Sequence, residues 1–426
     1  MIPLVQAARL FAARGVRSTI VTTVHNALTF QASIDHDIER GYPITVHTIN
    51  FPASEVELPI GIENLSSCTN EEMISKIYRS TALLPTHTPI AQLIRDVARS
   101  RLHLLGHVDN MELNIPRLVF YPNNFIYHAV SHSLKVHASL ISSEFLSFVV
   151  PDLPDNITMK RSQLSHHFVS KTEMGDWMER VQQSKKRSYG IAHNTFYEIE
   201  PAYADHVKKI KGTKVFSRNN NLVLEKHSCL TWLDDQKPNS VIYVCFGSMV
   251  RFPEAQITEI AFGWKEGNKG IGGLPEGFDE RIGMKNKGWA PRLEILQHPS
   301  LGGFLTRCGW NSVLETAAAG VPLITWPLYA DHFYNEKLME LLGIGVGIGA
   351  DVWNPSFVIT SPVIRKQAIL EAIELLTSQS IIADRIRQNS KDLAIKAKKV
   401  VEEDGSLNHL NALIDELKAI KLSSKA

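Results

Sequence analysis

At 426 residues, with 44% hydrophobic and 21% charged content, the chain is long enough for two domains with full cores and too ordinary in composition for a disordered or collagen-like polymer. A formal net charge of +1 gives no support for nucleic-acid binding, which needs a concentrated basic excess. Cys68, Cys229, Cys245 and Cys308 lack CxxC spacing, and no run reaches the roughly 18 apolar residues of a membrane span, so the expectation is a monomeric cytoplasmic protein with reduced thiols, no metal site and no integral membrane association.

Ile2 to Ala13 carries apolar residues at helical spacing, Gly15 suits the position after a helix end, and Arg17 to Thr23 is rich in β-branched residues like a strand. Arg9, Arg14 and Arg17, with no acidic residue before Asp35, also resemble an organelle transit peptide, but the structural reading is preferred. Tyr42 to Asn50 reads as a second strand, followed by a polar loop to Asn70 and helical segments through Arg99. Leu102 to Val108 and Ile115 to Tyr121 are strand candidates, and Phe125 to Leu140 a helix. The histidines between His128 and His167 have no metal-like spacing and read as hydrogen-bonded or exposed. Lys208 to Asn221 is basic, Asn-rich and without periodicity, which marks an interdomain linker; its limits are set at residues 217–230.

Beyond Thr231 a second α/β pattern starts. SVIYVCFGS is an apolar run ending in a Gly-Ser turn at Ser248, the form of a buried strand. Ala255 to Phe262 begins a helix that gives way to the Gly-rich GWKEGNKGIGG, which has no phosphate fingerprint. Gly302 to Thr306 reads as a buried strand, Arg307 to Trp310 as a tight turn, Asn311 to Ala319 as a helix and Leu323 to Trp326 as a strand after the break at Gly320, Val321 and Pro322. Ile364 to Leu376, Ile381 to Val401 and Asn408 to Leu422 are helical, with Glu402, Glu403 and Asp404 as a solvated turn.

A strand, turn, helix, strand order belongs to a parallel sheet, where ligands sit outside the carboxyl ends of the strands and helix N-termini hold anions. Asn311 and Ser312 would occupy such a terminus, although Ser312 with Glu315 also spells a capping box that would only start the helix. Trp289 and Trp310 are harder to explain as packing, and an aromatic face near an anion hole suggests a nucleotide.

The stretch from Trp289 to Asn335, WAPRLEILQHPSLGGFLTRCGWNSVLETAAAGVPLITWPLYADHFYN, resembles over nearly its full length the signature box of plant UDP-dependent glycosyltransferases of family 1. The resemblance implies an α/β fold of two Rossmann-like doubly wound domains facing across a cleft, the GT-B arrangement. The acceptor domain would cover residues 1–216, the UDP-sugar domain 231–400, and 401–426 would be a helix returning to the first domain. It further implies that Trp289 stacks on uracil, the Ala290 backbone bonds the base edge, and Glu315 accepts from the ribose. Ser248, Asn311 and Ser312 would lie at the phosphates, and Trp310, Asp331 and His332 at the sugar. The UDP-hexose is a co-substrate in this scheme, and no cofactor is implied. VVPDLPDNITMKRSQL and NTFYEIEPAYADH are similar to the branch acting on triterpenoid saponins, which implies a small lipophilic acceptor.

Three positions in the box depart from the family pattern. Arg292 stands in place of Gln, Arg307 in place of a His at the diphosphate, and His332 in place of the common final Gln, a change that resembles members using galactose rather than glucose. Two further implications concern catalysis. The family's general-base His directly precedes the segment matching MIPLVQAARLFAARGV, and its orienting Asp lies in a strand some way before the segment matching IPRLVF. Asp109 is the nearest carboxylate to the latter position but is close to Ile115, so no catalytic residue is assigned, and several strands of the fold are expected to be missing. The alternative reading is a catalytically inactive relative or a decayed gene product retaining at most nucleotide-sugar binding.

Overall fold

The computed structural model describes residues 2–87, 103–105, 117–141, 146–169, 173–186, 188–211, 214–217, 228–247, 249–267, 292–402, 411–416 and 419. The chain opens on helix α1 (Ile2–Ala12), which turns Val5, Ala7, Phe11 and Ala12 inward. Gly15, at φ +72°, releases it into strand β1 (Ser18–Thr23). Strand β1 pairs in parallel with β2 (Ile44–Ile49) in the register Ser18 with Ile44 through Thr23 with Ile49, and helix α2 (Gln31–Glu39) crosses between them. Arg9 Nη2 donates to Asp37 Oδ1 at 3.0 Å, so one of the arginines of the leader-like start is a tertiary contact between α1 and α2.

A second parallel sheet runs in the order β3 (His103–Leu105), β4 (Arg117–Tyr121), β7 (Gly190–His193), β8 (Lys214–Ser217). Between β4 and β7 lie helix α3 (Phe125–Val136) and an antiparallel pair, β5 (Ser147–Val149) with β6 (Thr158–Lys160). Among the described residues β1 and β2 share no hydrogen-bonded edge with this sheet. The buried Glu200 accepts from Ile126 N at 2.9 Å and from Thr195 Oγ1 at 2.7 Å, closing the first turn of α3 from outside; burial raises its pKa to about 7.

The linker reading needs correcting at its start. Helix α4 (Pro201–Lys211) and strand β8 occupy most of the stretch from Lys208 to Ser217, the strand pairing in register with β7. Four residues flanked by lysine and serine are too short to show a period, and only the partner strand makes them a strand.

The third sheet has the order β12 (Gly345–Gly347), β11 (Leu323–Thr325), β10 (Leu301–Thr306), β9 (Val241–Cys245), all parallel. Strand β10 is buried at every residue because it lies between two neighbours. Strand β9, expected to be buried, is half-buried throughout, since among the described residues it is an edge. Helix α5 (Glu254–Gly267) runs past Phe262 and absorbs the beginning of the expected Gly-rich loop. Then come α6 (Arg292–Gln297), α7 (Trp310–Ala319), α8 (His332–Leu342), α9 (Lys366–Thr377) and α10 (Ile381–Glu402). Glu402, expected in a turn, is the last residue of α10.

One apolar core joins the two halves: Phe125, Leu134, Phe196 and Tyr203 of the first share a cluster with Trp310, Val313, Phe333 and Leu338 of the second. Residues 411–416 are helical and return to the first half, where Leu413 and Ile414 pack with Phe11 and Leu118, and Asn411 Oδ1 accepts from Arg14 Nε at 3.1 Å.

Helix α8 carries a buried acid into this core. Glu336 accepts from Thr325 Oγ1 at 2.7 Å, and burial raises its pKa from the usual carboxylate range to about 8. The folded state therefore holds a proton that the unfolded chain releases, so this group's contribution to stability is complete at low pH and is lost as pH rises through about 8. Glu336→Gln keeps the shape without the ionisation. It is expected to match the parent in urea unfolding at pH 5 and to exceed it by about 1–3 kcal/mol at pH 9. Equal differences at both values would sink this reading.

Candidate functional site

The carboxyl ends of β9, β10 and β11 open on one region, and the sequence from Arg307 to His332 fills it. After β10 the backbone turns sharply: Cys308 is buried in the left-handed region at φ +65°, and Gly309 is extended and begins α7 without any side-chain cap. The capping box expected of Ser312 and Glu315 is not formed, because the helix starts at Trp310 and Ser312 already lies inside its first turn. Arg292, brought in by α6, takes both residues instead. Its Nη1 donates to Ser312 Oγ at 3.2 Å, its Nη2 donates to Glu315 Oε1 at 2.9 Å, and its Nε forms an ion pair with Glu315 Oε2. Glu315, which the resemblance places at a ribose, is held by a two-pronged guanidinium contact.

Arg307 is placed differently. Its Nη1 donates to Tyr329 Oη, its guanidinium carbon stands 5.3 Å from the centre of the Tyr329 ring, and it forms no ion pair with a carboxylate among the described residues. The guanidinium lies against the turn after β9, where a Cβ on Gly247, at φ +74°, would come within 2.9 Å of Nη2. The positive φ favours glycine there, and a side chain would push the guanidinium from its place. Burial works against the charge of Arg307, and the field of Asp331 partly offsets it. The half-buried cation and the N-terminus of α7 lie side by side, and both favour negative charge.

His332 is buried, with its ring 4.6 Å from that of Tyr329. Its Nδ1 accepts from the backbone N–H groups of Leu328 at 3.4 Å and Tyr329 at 3.3 Å, so the proton of the neutral ring is on Nε2. Burial first, and the nearby Arg307 second, hold its pKa well below the usual histidine value, which keeps the ring neutral. The Nε2 end lies 3.8 Å from where a Gly309 Cβ would be, so it is a hydrogen-bond donor facing the turn into α7. Asp331, at the start of α8, is buried, which raises its pKa, while donors on Asn123 and Asn335 oppose the shift.

Three asparagines of the first half reach this region, and the sequence reading missed all three. Asn123 Nδ2 donates to Asp331 Oδ2 at 2.7 Å, and Asn124 Nδ2 donates to Asn335 Oδ1 at 2.7 Å. Asn335 in turn donates through Nδ2 to the Cys308 carbonyl at 2.7 Å, which fixes the strained turn before α7. Asn194 Nδ2 donates to Asn311 Oδ1 at 2.8 Å, and the Asn194 carbonyl accepts from Trp310 Nε1 at 2.6 Å. Asn311 therefore meets the first half of the chain, and Trp310, hard to read as packing from sequence, is 4% exposed and belongs to the shared core. The one available signal was position: Asn194 directly follows the carboxyl end of β7, and Asn123 follows that of β4 after Pro122.

The structure thus brings together Arg292, Arg307, Trp310, Asn311, Ser312, Glu315, Asp331 and His332. Ser248, Trp289, Ala290 and Asp109 lie outside the described residues. Among the described residues no three His, Cys, Asp or Glu side chains are placed to hold a metal ion, and no helix is long and apolar enough to cross a membrane.

Residues 220–354 match the family model described as UDP-glucoronosyl and UDP-glucosyl transferase. The chain is 43% identical to the solanidine UDP-glucose glucosyltransferase 1 of Solanum tuberosum, over 99% of this chain and 95% of that protein. It is 43% identical to the nuatigenin 3-beta-glucosyltransferase of Solanum aculeatissimum, covering 98% and 94% of the two chains. Against the soyasapogenol B glucuronide galactosyltransferase of Glycine max the identity is 38%, over 100% and 94%. Among solved structures, that of Glycyrrhiza uralensis UGT73P12 complexed with glycyrrhetinic acid 3-O-monoglucuronide superposes with a TM-score of 0.89 at 34% identity, covering 99% of this chain and 94% of the other.

Proposed function

The chain belongs to the plant UDP-dependent glycosyltransferases of GT-B fold, and we propose that it moves a hexose, galactose in preference to glucose, from the UDP-sugar to a hydroxyl of a rigid lipophilic acceptor of the triterpenoid or steroid class. The observation that carries the donor half of this reading is Arg307: a half-buried guanidinium with no carboxylate ion pair among the described residues, set beside the N-terminus of α7. Such a group, with the free N–H groups of the helix, suits a diphosphate and the charge that grows on it as the sugar leaves. The acceptor oxygen attacks the anomeric carbon as the bond to UDP breaks, with inversion, and the acceptor's proton passes to a base. Asp331 and the neutral His332 lie next to this anion site and offer the sugar one acceptor and one donor.

The acceptor class follows the relatives named above, whose names carry solanidine, nuatigenin and soyasapogenol B glucuronide. Two of those names specify a glucosyltransferase and one a galactosyltransferase, so the sugar has to be read from side chains. Galactose and glucose differ in the direction of one hydroxyl, and a fixed Nε2–H donor favours the epimer whose oxygen meets it. The test is transfer from UDP-galactose and UDP-glucose to triterpenoid and steroidal glycosides. The parent is expected to prefer UDP-galactose, and His332→Gln to move the ratio of kcat/KM values toward glucose by about tenfold or more, the cost of leaving one buried polar group unpaired. An unchanged ratio would remove His332 as the selector, and no transfer with either donor would count against the enzymatic reading.

A further inference from the structure

Asn123 and Asn124 are adjacent, and both donate across the cleft onto the start of α8, yet they are built differently. Asn124 is completely buried; its Oδ1 accepts from Tyr127 N at 3.1 Å at the beginning of α3, while its Nδ2 holds Asn335. That residue is committed to structure at both ends. Asn123 is half-exposed, makes no cap, and spends its amide on one oxygen of Asp331 at 2.7 Å. The exposed Pro122 precedes it, and the strand end that carries it, β4, points at the cleft.

Asp331 is also met by the Asn335 side chain and by its own backbone N–H, both at the start of α8, so Asn123 is the donor that comes from the opposite half. Asp331 makes no side-chain hydrogen bond that caps α8, and the cation in its field, Arg307, forms no ion pair with it. A carboxylate at the end of a short side chain can rotate. A hydrogen bond to Oδ2 from the opposite half of the molecule adds to these local contacts a restraint on the plane of the group. Because the donor comes from the other half of the chain, this added restraint exists only while the two halves are together.

We propose that Asn123 is a positioning residue for the sugar: through Asp331 it aligns the carboxylate that accepts from a hexose hydroxyl, so the affinity gained from the hexose depends on closure of the cleft at this point. The inference rests on the UDP-sugar reading of the site. It separates the hexose from the nucleotide, because the hydrogen bond of Asn123 goes to Asp331 and not to Arg307 or the N-terminus of α7, which the proposed function assigns to UDP.

The test is calorimetric and needs no turnover: UDP and UDP-galactose are titrated into the parent chain, Asn123→Ala and Asn123→Gln. In the alanine variant UDP-galactose binding is expected to weaken by about tenfold, the worth of one hydrogen bond to a charged group, while UDP binding stays within about twofold. The glutamine variant, which keeps an amide donor, is expected to recover part of the loss. If the alanine variant weakens both ligands alike, Asn123 only holds the halves together and the proposal is overturned. It is equally overturned if neither ligand is affected. If the parent binds neither UDP nor UDP-galactose, the donor-site reading itself has failed, an outcome distinct from the other two. Circular dichroism melting accompanies each titration, and a shifted melt in the alanine variant with unchanged UDP-galactose binding also counts against the proposal.

Discussion

Trp310→Ala is expected to lower the stability of the folded chain by about 3–5 kcal/mol, the usual range for removing a buried aromatic side chain. The residue is 4% exposed, starts α7 immediately after a glycine that provides no side-chain cap, and packs in the cluster shared by both halves. Removing the indole leaves a cavity where Phe125, Phe196, Val313 and Phe333 belong to the same cluster. It also strips the buried Asn194 carbonyl of the Nε1–H donor that meets it at 2.6 Å. Trp310→Phe separates the two effects: it restores most of the volume but not the donor, and should cost about 1–3 kcal/mol. Urea unfolding of both variants followed by circular dichroism is the measurement. A loss below about 1 kcal/mol for the alanine variant would mean that the site relaxes around the hole and that Trp310 is not a structural bolt between the halves.

Which parts of this architecture could be read in advance depended on whether their determinants were local. The β10, turn, α7, β11 unit was legible because an apolar run, a glycine before the helix, and the Gly320, Val321, Pro322 break punctuate it within the sequence itself. Helix α7 was nevertheless started one residue late. The Ser312 and Glu315 pattern has the spacing of a cap, and only the arrival of Arg292 from α6 shows that both side chains are used elsewhere. Strand β8 was lost inside a basic run because its identity comes from β7, and α5 was cut short because Gly263 and Gly267 each weigh against a helix by about 1 kcal/mol, although the helix runs through both.

The candidate site was half legible for the same reason. Arg307, Asn311, Asp331 and His332 lie in one contiguous stretch, so their residue types could be compared with a known box. What they do in the fold was less visible. The donor face of His332 is set by two backbone N–H groups a few residues earlier, and Asn123, Asn124 and Asn194 arrive from more than 100 positions away. Composition and periodicity carry no trace of contacts between two sheets. The first half shows a related limit: among the described residues β1 with β2 shares no hydrogen-bonded edge with β3, β4, β7 and β8, and nothing local to either stretch marks which strands pair.

Arg307→Ala is expected to reduce UDP affinity about 100-fold while changing uridine affinity by less than about threefold, since two charge-assisted hydrogen bonds at about 1.5 kcal/mol each reach that factor. The physical argument is one of an uncompensated charge. Burial disfavours the guanidinium, no carboxylate forms an ion pair with it among the described residues, and its Nη1 donates to the neutral hydroxyl of Tyr329. A protein tolerates a cation so placed when a ligand completes it, and the N-terminus of α7 beside it already favours negative charge. Arg292 offers the internal comparison, since it carries the same group with Glu315 bound at both prongs. Arg307→Lys should recover part of the affinity as a point charge, but not all of it, because the fork is lost. Titration of UDP and uridine into the parent and both variants decides the matter. If the alanine variant binds UDP as the parent does, the anion is held elsewhere, and the close fit between Gly247 and Arg307 is packing rather than a phosphate cradle.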